Sequence, residues 1–96
     1  MGDKIEVENV NTPGRVGRVN AAKYADMRAA MKRALPCTSP GLTQSEMRDS
    51  VKPYLSEDLF PGGKTCGWWT KTAQLDLEAN GKLVREQTKP LRWHWK

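Results

Sequence analysis

Two short stretches hold most of the residue types that could do chemistry, "PGGKTCG" at Pro61–Gly67 and "RWHWK" at Arg92–Lys96. The first resembles a phosphate-binding loop, but G-x-x-x-x-G-K-[ST] needs glycine where Asp58 stands, and no strand precedes it. A nucleotide site is excluded on that count. Lys64, Thr65 and the free amides of a helix start still suit a single phosphate, such as one in a DNA backbone. The alternative is a loop broken by two glycines. Cys66 follows Lys64 at a helix start, where thiol pKa values fall, and His94 is the only histidine. Nothing in their spacing brings them together, so a buried thiol and an exposed strand histidine are expected. Cys37, Cys66 and His94 give three ligand types at unrelated spacings, where structural zinc takes four, so no metal is expected. Asp76 and Glu78, two apart on a helix, point to different sides. No residue set suggests an enzyme or a cofactor.

The remaining chemistry is recognition of negative charge. The chain has 16 basic and 11 acidic residues and a net charge of +5. From Pro61 onward, seven basic residues stand against three acids, so this segment holds +4 of the excess. Such asymmetry favours a polyanion as partner, although a basic surface also serves solubility. The start "MGDKIEVE" has no apolar region and reads as no secretory signal, and no apolar run approaches the ~20 residues that cross a bilayer. Two cysteines in such a chain are expected as free thiols. A cytoplasmic protein without membrane contact follows as the expectation.

These residues must be positioned by one domain spanning 1–96, because a chain of 96 residues supports a single core. Residues 1–19 read as an N-terminal strand or hairpin. In "KIEVENV" Ile5 and Val7 share one face, and Pro13–Gly14 suit the centre of a type II turn. "RVGRV" returns as a strand or remains loop. A first helix spans 20–35, capped by Asn20, with Tyr24, Met27, Met31 and Leu35 as its apolar stripe. A second spans 43–54. Thr43 and Glu46 form a capping box, Leu42 and Met47 a staple, and Met47, Val51 and Tyr54 point inward. Pro53 weakens its end. The third helix, 65–80, ends at Gly81, a left-handed cap position. Trp69, Ala73 and Leu77 lie on one side of it and Trp68, Thr72 and Leu75 on the next. Only Gly67, Lys71, Gln74 and Glu78 form a polar strip. Residues 82–96 form a hairpin in which Leu91, Trp93 and Trp95 alternate with Arg92, His94 and Lys96. The tryptophan spacings favour the core over base stacking, most clearly at Trp69 and Trp93.

Three helices followed by a β-hairpin is the order of a winged helix-turn-helix, an α+β fold. "LDLEANGKLVRE" resembles the helix end, glycine and wing strand of winged-helix domains. "NTPGRV", "KYADMRAAM", "PGLTQSEM", "LFPGG", "GWWTKTAQLDLEANG" and "KPLRWHW" together resemble a family of small uncharacterised bacterial proteins. That resemblance covers nearly the whole chain and implies a winged-helix-like fold, with no established activity. Charge and element order make double-stranded DNA the expected partner. Lys71 and Gln74 would face the major groove, Lys64 and Thr65 a phosphate, and Lys89 with Arg85 or Arg92 the backbone from the wing. The competing expectation is a protein-interaction or homodimerisation module using Trp68 and Leu75.

Overall fold

The computed structural model describes residues 3–96. Met1 and Gly2, included in the expected 1–19 segment, lie outside the described residues. Strand β1 (Lys4–Glu8) pairs antiparallel with β2 (Val16–Asn20), so "RVGRV" does return as a strand. The connecting turn closes through the Arg15 amide donating to Thr12 O at 3.1 Å, with Gly14 at φ 86°. Val7 enters the core while Ile5 remains exposed, so only half of the expected strand face is buried.

Helix α1 (Ala21–Ala34) begins directly after β2, and the Asn20 side chain accepts from the Lys23 amide at 3.0 Å. Tyr24, Met27, Met31 and Leu35 are all buried, as their spacing requires. Residues 42 and 43 form a short strand, β3 (Leu42–Thr43), that local sequence did not announce. Helix α2 (Gln44–Val51) follows with the full capping box: Glu46 N donates to Thr43 Oγ1 at 3.2 Å and Thr43 N to Glu46 Oε1 at 2.9 Å. Met47 and Val51 are buried. Tyr54 is not. Pro53 cannot continue the α-helical hydrogen bonds, and a 3-10 turn over Lys52–Tyr54 turns the phenol outward. There the Arg33 guanidinium lies 5.0 Å from its ring centre. Phe60, in the connection between α2 and the next helix, is fully buried, edge-on to Trp69 at 6.1 Å.

Helix α3 (Cys66–Ala79) supplies Trp69, Ala73 and Leu77 to the core, and Gly81 has the left-handed φ of 73° expected of it. Strands β4 (Leu83–Glu86) and β5 (Arg92–Trp95) form the C-terminal hairpin, with Arg85 opposite Trp93. Strand β3 pairs with the other edge of β5, Leu42 opposite Trp93, which makes a three-stranded antiparallel sheet in the order β3-β5-β4. The fold is thus α+β, three helices with two small antiparallel sheets. One apolar cluster joins all three helices to Val7, Leu83 and Trp93. His94, expected outside, is buried, because the segment before β3 crosses over it.

Candidate nucleic-acid interface

The outer face of α3 differs from the strip expected. Lys64, Thr65, Trp68 and Lys71 are exposed, and Thr72 and Leu75 are half-buried. Gln74 is only 2% exposed, so it cannot reach a groove from this position, and the reading of it as an outward base contact is corrected. The cause is the hairpin. Glu78, whose side chain is 5% exposed, turns under β4 and takes Arg85 in a two-pronged ion pair, Nε to Oε1 at 2.9 Å and Nη2 to Oε2 at 3.2 Å. Gln74 Nε2 donates to the same carboxylate at 2.6 Å. The C-terminal half of the strip is thereby folded inward.

The same inward turn removes acid from the outer face. Asp76 is buried, with Oδ1 accepting from the Glu8 amide at 2.8 Å and Oδ2 from the Tyr24 hydroxyl. Burial first, and then the Asp76 carboxylate beside it, push the Tyr24 hydroxyl well above the usual phenol range. Neither acid of α3 is presented to solvent alongside Lys64, Trp68 and Lys71. At the helix start Thr65 is left-handed, φ 61°, and its hydroxyl donates to Lys64 O at 2.6 Å, so no side chain caps the first amides.

The expected backbone contacts divide in two. Lys64, Lys71 and Lys89 have no ion-pair partner among the described residues, and Lys89 is exposed in the β4–β5 connection. Arg85 is held by Glu78, and Arg92 Nη1 donates to Gly41 O at 3.1 Å and to Glu46 at 3.2 Å. These two arginines serve the fold first. Lys71, Gln74, Arg85 and Leu91 line one cavity between α3 and the hairpin, so the structure does bring helix and hairpin residues together.

His94 has both ring nitrogens engaged, Nε2 with Glu86 at 2.8 Å and Nδ1 with Trp95 O at 2.9 Å. The bond to Glu86 raises the imidazole above its ordinary pKa, and the same bond lowers Glu86. Cys66 is buried, Cys37 is exposed, and neither is in a disulfide. Among the described residues no three His, Cys, Asp or Glu side chains cluster as metal ligands would. No described helix is long and apolar enough to cross a membrane.

Two further features shape the surface, the first at a residue the sequence already offered for protein contacts and the second a groove it did not announce. Trp68 is 58% exposed, edge-on to Trp69 at 5.0 Å. Consecutive residues on a helix point 100° apart, and here Trp69 and Thr70 take the buried side while Trp68 faces out. A second basic groove, of about 700 Å³, runs between α1 and the C-terminal strand, with Arg28, Lys32, Lys82 and Lys96 around Trp95. Its cations come from segments far apart in sequence. No curated protein and no solved structure matches the chain significantly. Residues 4–93 match the model of a family of unknown function, DUF6958, and the chain belongs to that family.

Proposed function

We propose that the protein is a winged-helix-like, non-catalytic binder of double-stranded DNA, with α3 directed at the major groove and the β4–β5 hairpin as the wing. Element order supports the fold reading: a strand between the first two helices pairs with the hairpin that follows the third. The observation that carries the function is the acid-free outer face of α3, where Lys64 and Lys71 flank an exposed Trp68 and both helix acids turn inward. Lys71 remains the base-edge donor in this reading, Lys64 and the uncapped helix start hold a phosphate, and Lys89 reaches the backbone. Thr65 offers only its amide, since its hydroxyl is bonded to Lys64. Arg85 and Arg92 supply neither contacts nor net positive charge in this reading, because each is already paired with a carboxylate. The setting would be the cytoplasm of a bacterium.

The test is titration of random duplex DNA at several salt concentrations. Lys89→Ala should lower affinity alike for every sequence and reduce the salt slope by about one. Lys71→Ala should weaken a preferred site more than random duplex. Lys32→Ala, in the groove beside α1, is the control and should leave the slope unchanged. Absence of salt-dependent binding at micromolar protein would overturn the proposal.

A second reading rests on one observation, the 58% exposure of Trp68 beside the half-buried Leu75. An exposed tryptophan is a frequent anchor of protein contacts. In that case the α3 face would bind a second copy or another protein. Concentration-dependent dimerisation in sedimentation, abolished by Trp68→Ala with duplex affinity absent throughout, would favour it.

A further inference from the structure

Two buried side-chain polar atoms have no hydrogen-bond partner among the described residues, Gln74 Oε1 and Trp93 Nε1. Both residues line the same cavity, about 270 Å³ beside α3 and β5, with Asn11, Gln44, Lys71, Leu75, Arg85 and Leu91 around them. Folded chains rarely leave a buried donor or acceptor unpaired, and here one of each belongs to residues that line a single small space. Their chemistry is complementary and fixed. An indole nitrogen only donates, and an amide oxygen only accepts. Gln74 is not free to flip, because its Nε2 donates to Glu78 at 2.6 Å and a flip would set oxygen against that carboxylate. Glu78 is itself locked by Arg85, whose guanidinium lies 5.7 Å from the Trp93 ring centre.

We propose that this cavity receives one unpaired nucleobase, whose pairing edge accepts from Trp93 Nε1–H and donates to Gln74 Oε1. Every base carries an acceptor next to a donor on that edge, and a base within a duplex has both occupied by its complement. The base must therefore be single-stranded or turned out of the stack. Leu75 and Leu91 supply apolar walls. A peptide amide offers the same two groups but carries no charge, whereas Lys71, without an ion-pair partner among the described residues, meets the phosphate of a nucleotide. The proposal rests on nucleic acid as the partner class and adds a pocket that takes a single base.

The test uses the four tryptophan indole N–H signals of the full chain, assigned by single Trp→Phe substitutions. The protein is titrated with the four nucleoside monophosphates and with short single-stranded oligonucleotides. The Trp93 signal should move on binding while that of Trp95, already donating to Met31 O at 3.1 Å, stays in place. Gln74→Met keeps the side-chain shape but removes the acceptor together with the Nε2 bond to Glu78, and with an unchanged urea midpoint it should weaken binding about tenfold. Lys71→Ala, at the surface, should weaken nucleotides but not free nucleosides. A Trp93 signal that stays fixed through every titration, as when a trapped water joins the two groups, would overturn the proposal. So would Gln74→Met binding as the parent does. Duplex titrations separate the two readings: a Trp93 response without salt-dependent duplex binding removes only the duplex proposal, and the reverse removes only this one.

Discussion

Replacing Asp76 by alanine should cost the fold about 3 kcal/mol near neutral pH. The carboxylate is 7% exposed and is shared by three elements: the Glu8 amide of β1 and Asn80 Nδ2 at 3.2 Å bond Oδ1, and the Tyr24 hydroxyl of α1 bonds Oδ2. Hydrogen bonds to an ionised group contribute about 1.5–3 kcal/mol each, and a buried donor left alone costs about 1–3 kcal/mol. Alanine strands the buried Tyr24 hydroxyl, while the part-buried Glu8 amide regains water. Relief of a buried charge offsets several kcal/mol of the gross loss, which leaves about 3 kcal/mol. With about 2.1 cal/mol/K of unfolding entropy per residue, this lowers Tm by about 15 °C for the 96-residue chain. Thermal and urea unfolding by circular dichroism measure it. Tyr24→Phe alone should cost about 1.5 kcal/mol, and the double variant less than the sum by about 1 kcal/mol, since both remove one bond. The network also sets a sign with pH. The Tyr24 proton is held more tightly folded than unfolded, so stability falls as pH rises above about 10, where the unfolded chain ionises first. Asp76→Ala melting within about 3 °C of the parent, or strict additivity with Tyr24→Phe, would refute the reasoning.

Further outcomes follow from other contacts. Thr43→Ala should cost about 1 kcal/mol by removing the side-chain half of the capping box, read from the urea midpoint. Gly41→Ala should cost about 3 kcal/mol or more, because Gly41 has φ 87° and a Cβ there would stand 2.0 Å from the Trp93 carbonyl oxygen; a parent-like midpoint would place β3 elsewhere. The His94–Glu86 pair should stabilise most between the ordinary carboxylate and imidazole pKa values. Its contribution fades as pH rises through the raised His94 pKa or falls through the lowered Glu86 pKa. Proton NMR of the imidazole should show Glu86→Gln lowering the His94 midpoint. A thiol reagent should modify Cys37 at once and the buried Cys66 only on unfolding, so equal rates would contradict its burial.

Signals written within one or two turns were legible in the sequence. Asn20 and Thr43 mark their helix starts because a cap bonds an amide only three residues on. The α1 stripe follows from period alone. Strand β3 was not legible, since two residues carry no periodicity and its partner lies fifty positions away at Arg92–Trp93. Gln74 and Glu78 read as solvent-facing because polar residues on helices usually are. What overrides that rule is Arg85, seven residues beyond Glu78 and across a turn, which makes burial of the carboxylate affordable by pairing it. Tyr54 fitted the helical stripe until Pro53 changed the pitch. Three expected lysines do stand exposed, Lys64 and Lys71 at and on α3 and Lys89 in the hairpin connection. The rest of the candidate surface was not legible: Trp68 replaces Gln74 on the outside, and two of the expected arginines are committed to acids.

Strand β5 lies in the middle of its sheet, between β3 and β4, although it comes last of the three along the chain. During synthesis, residues 42 and 43 therefore leave the ribosome long before their pairing partner exists. Loop closure over some fifty residues must come before β3 has any ladder to join, which makes this sheet a late, cooperative event. Arg92, arriving with β5, bonds both Gly41 and the Glu46 that already closes the start of α2. The nascent chain can thus form its helices early, but the hairpin takes its place beside α3 only when the final strand emerges. A ribosome-held chain stopped short of Arg92 should expose two unmatched strand edges and be open to chaperones and proteases.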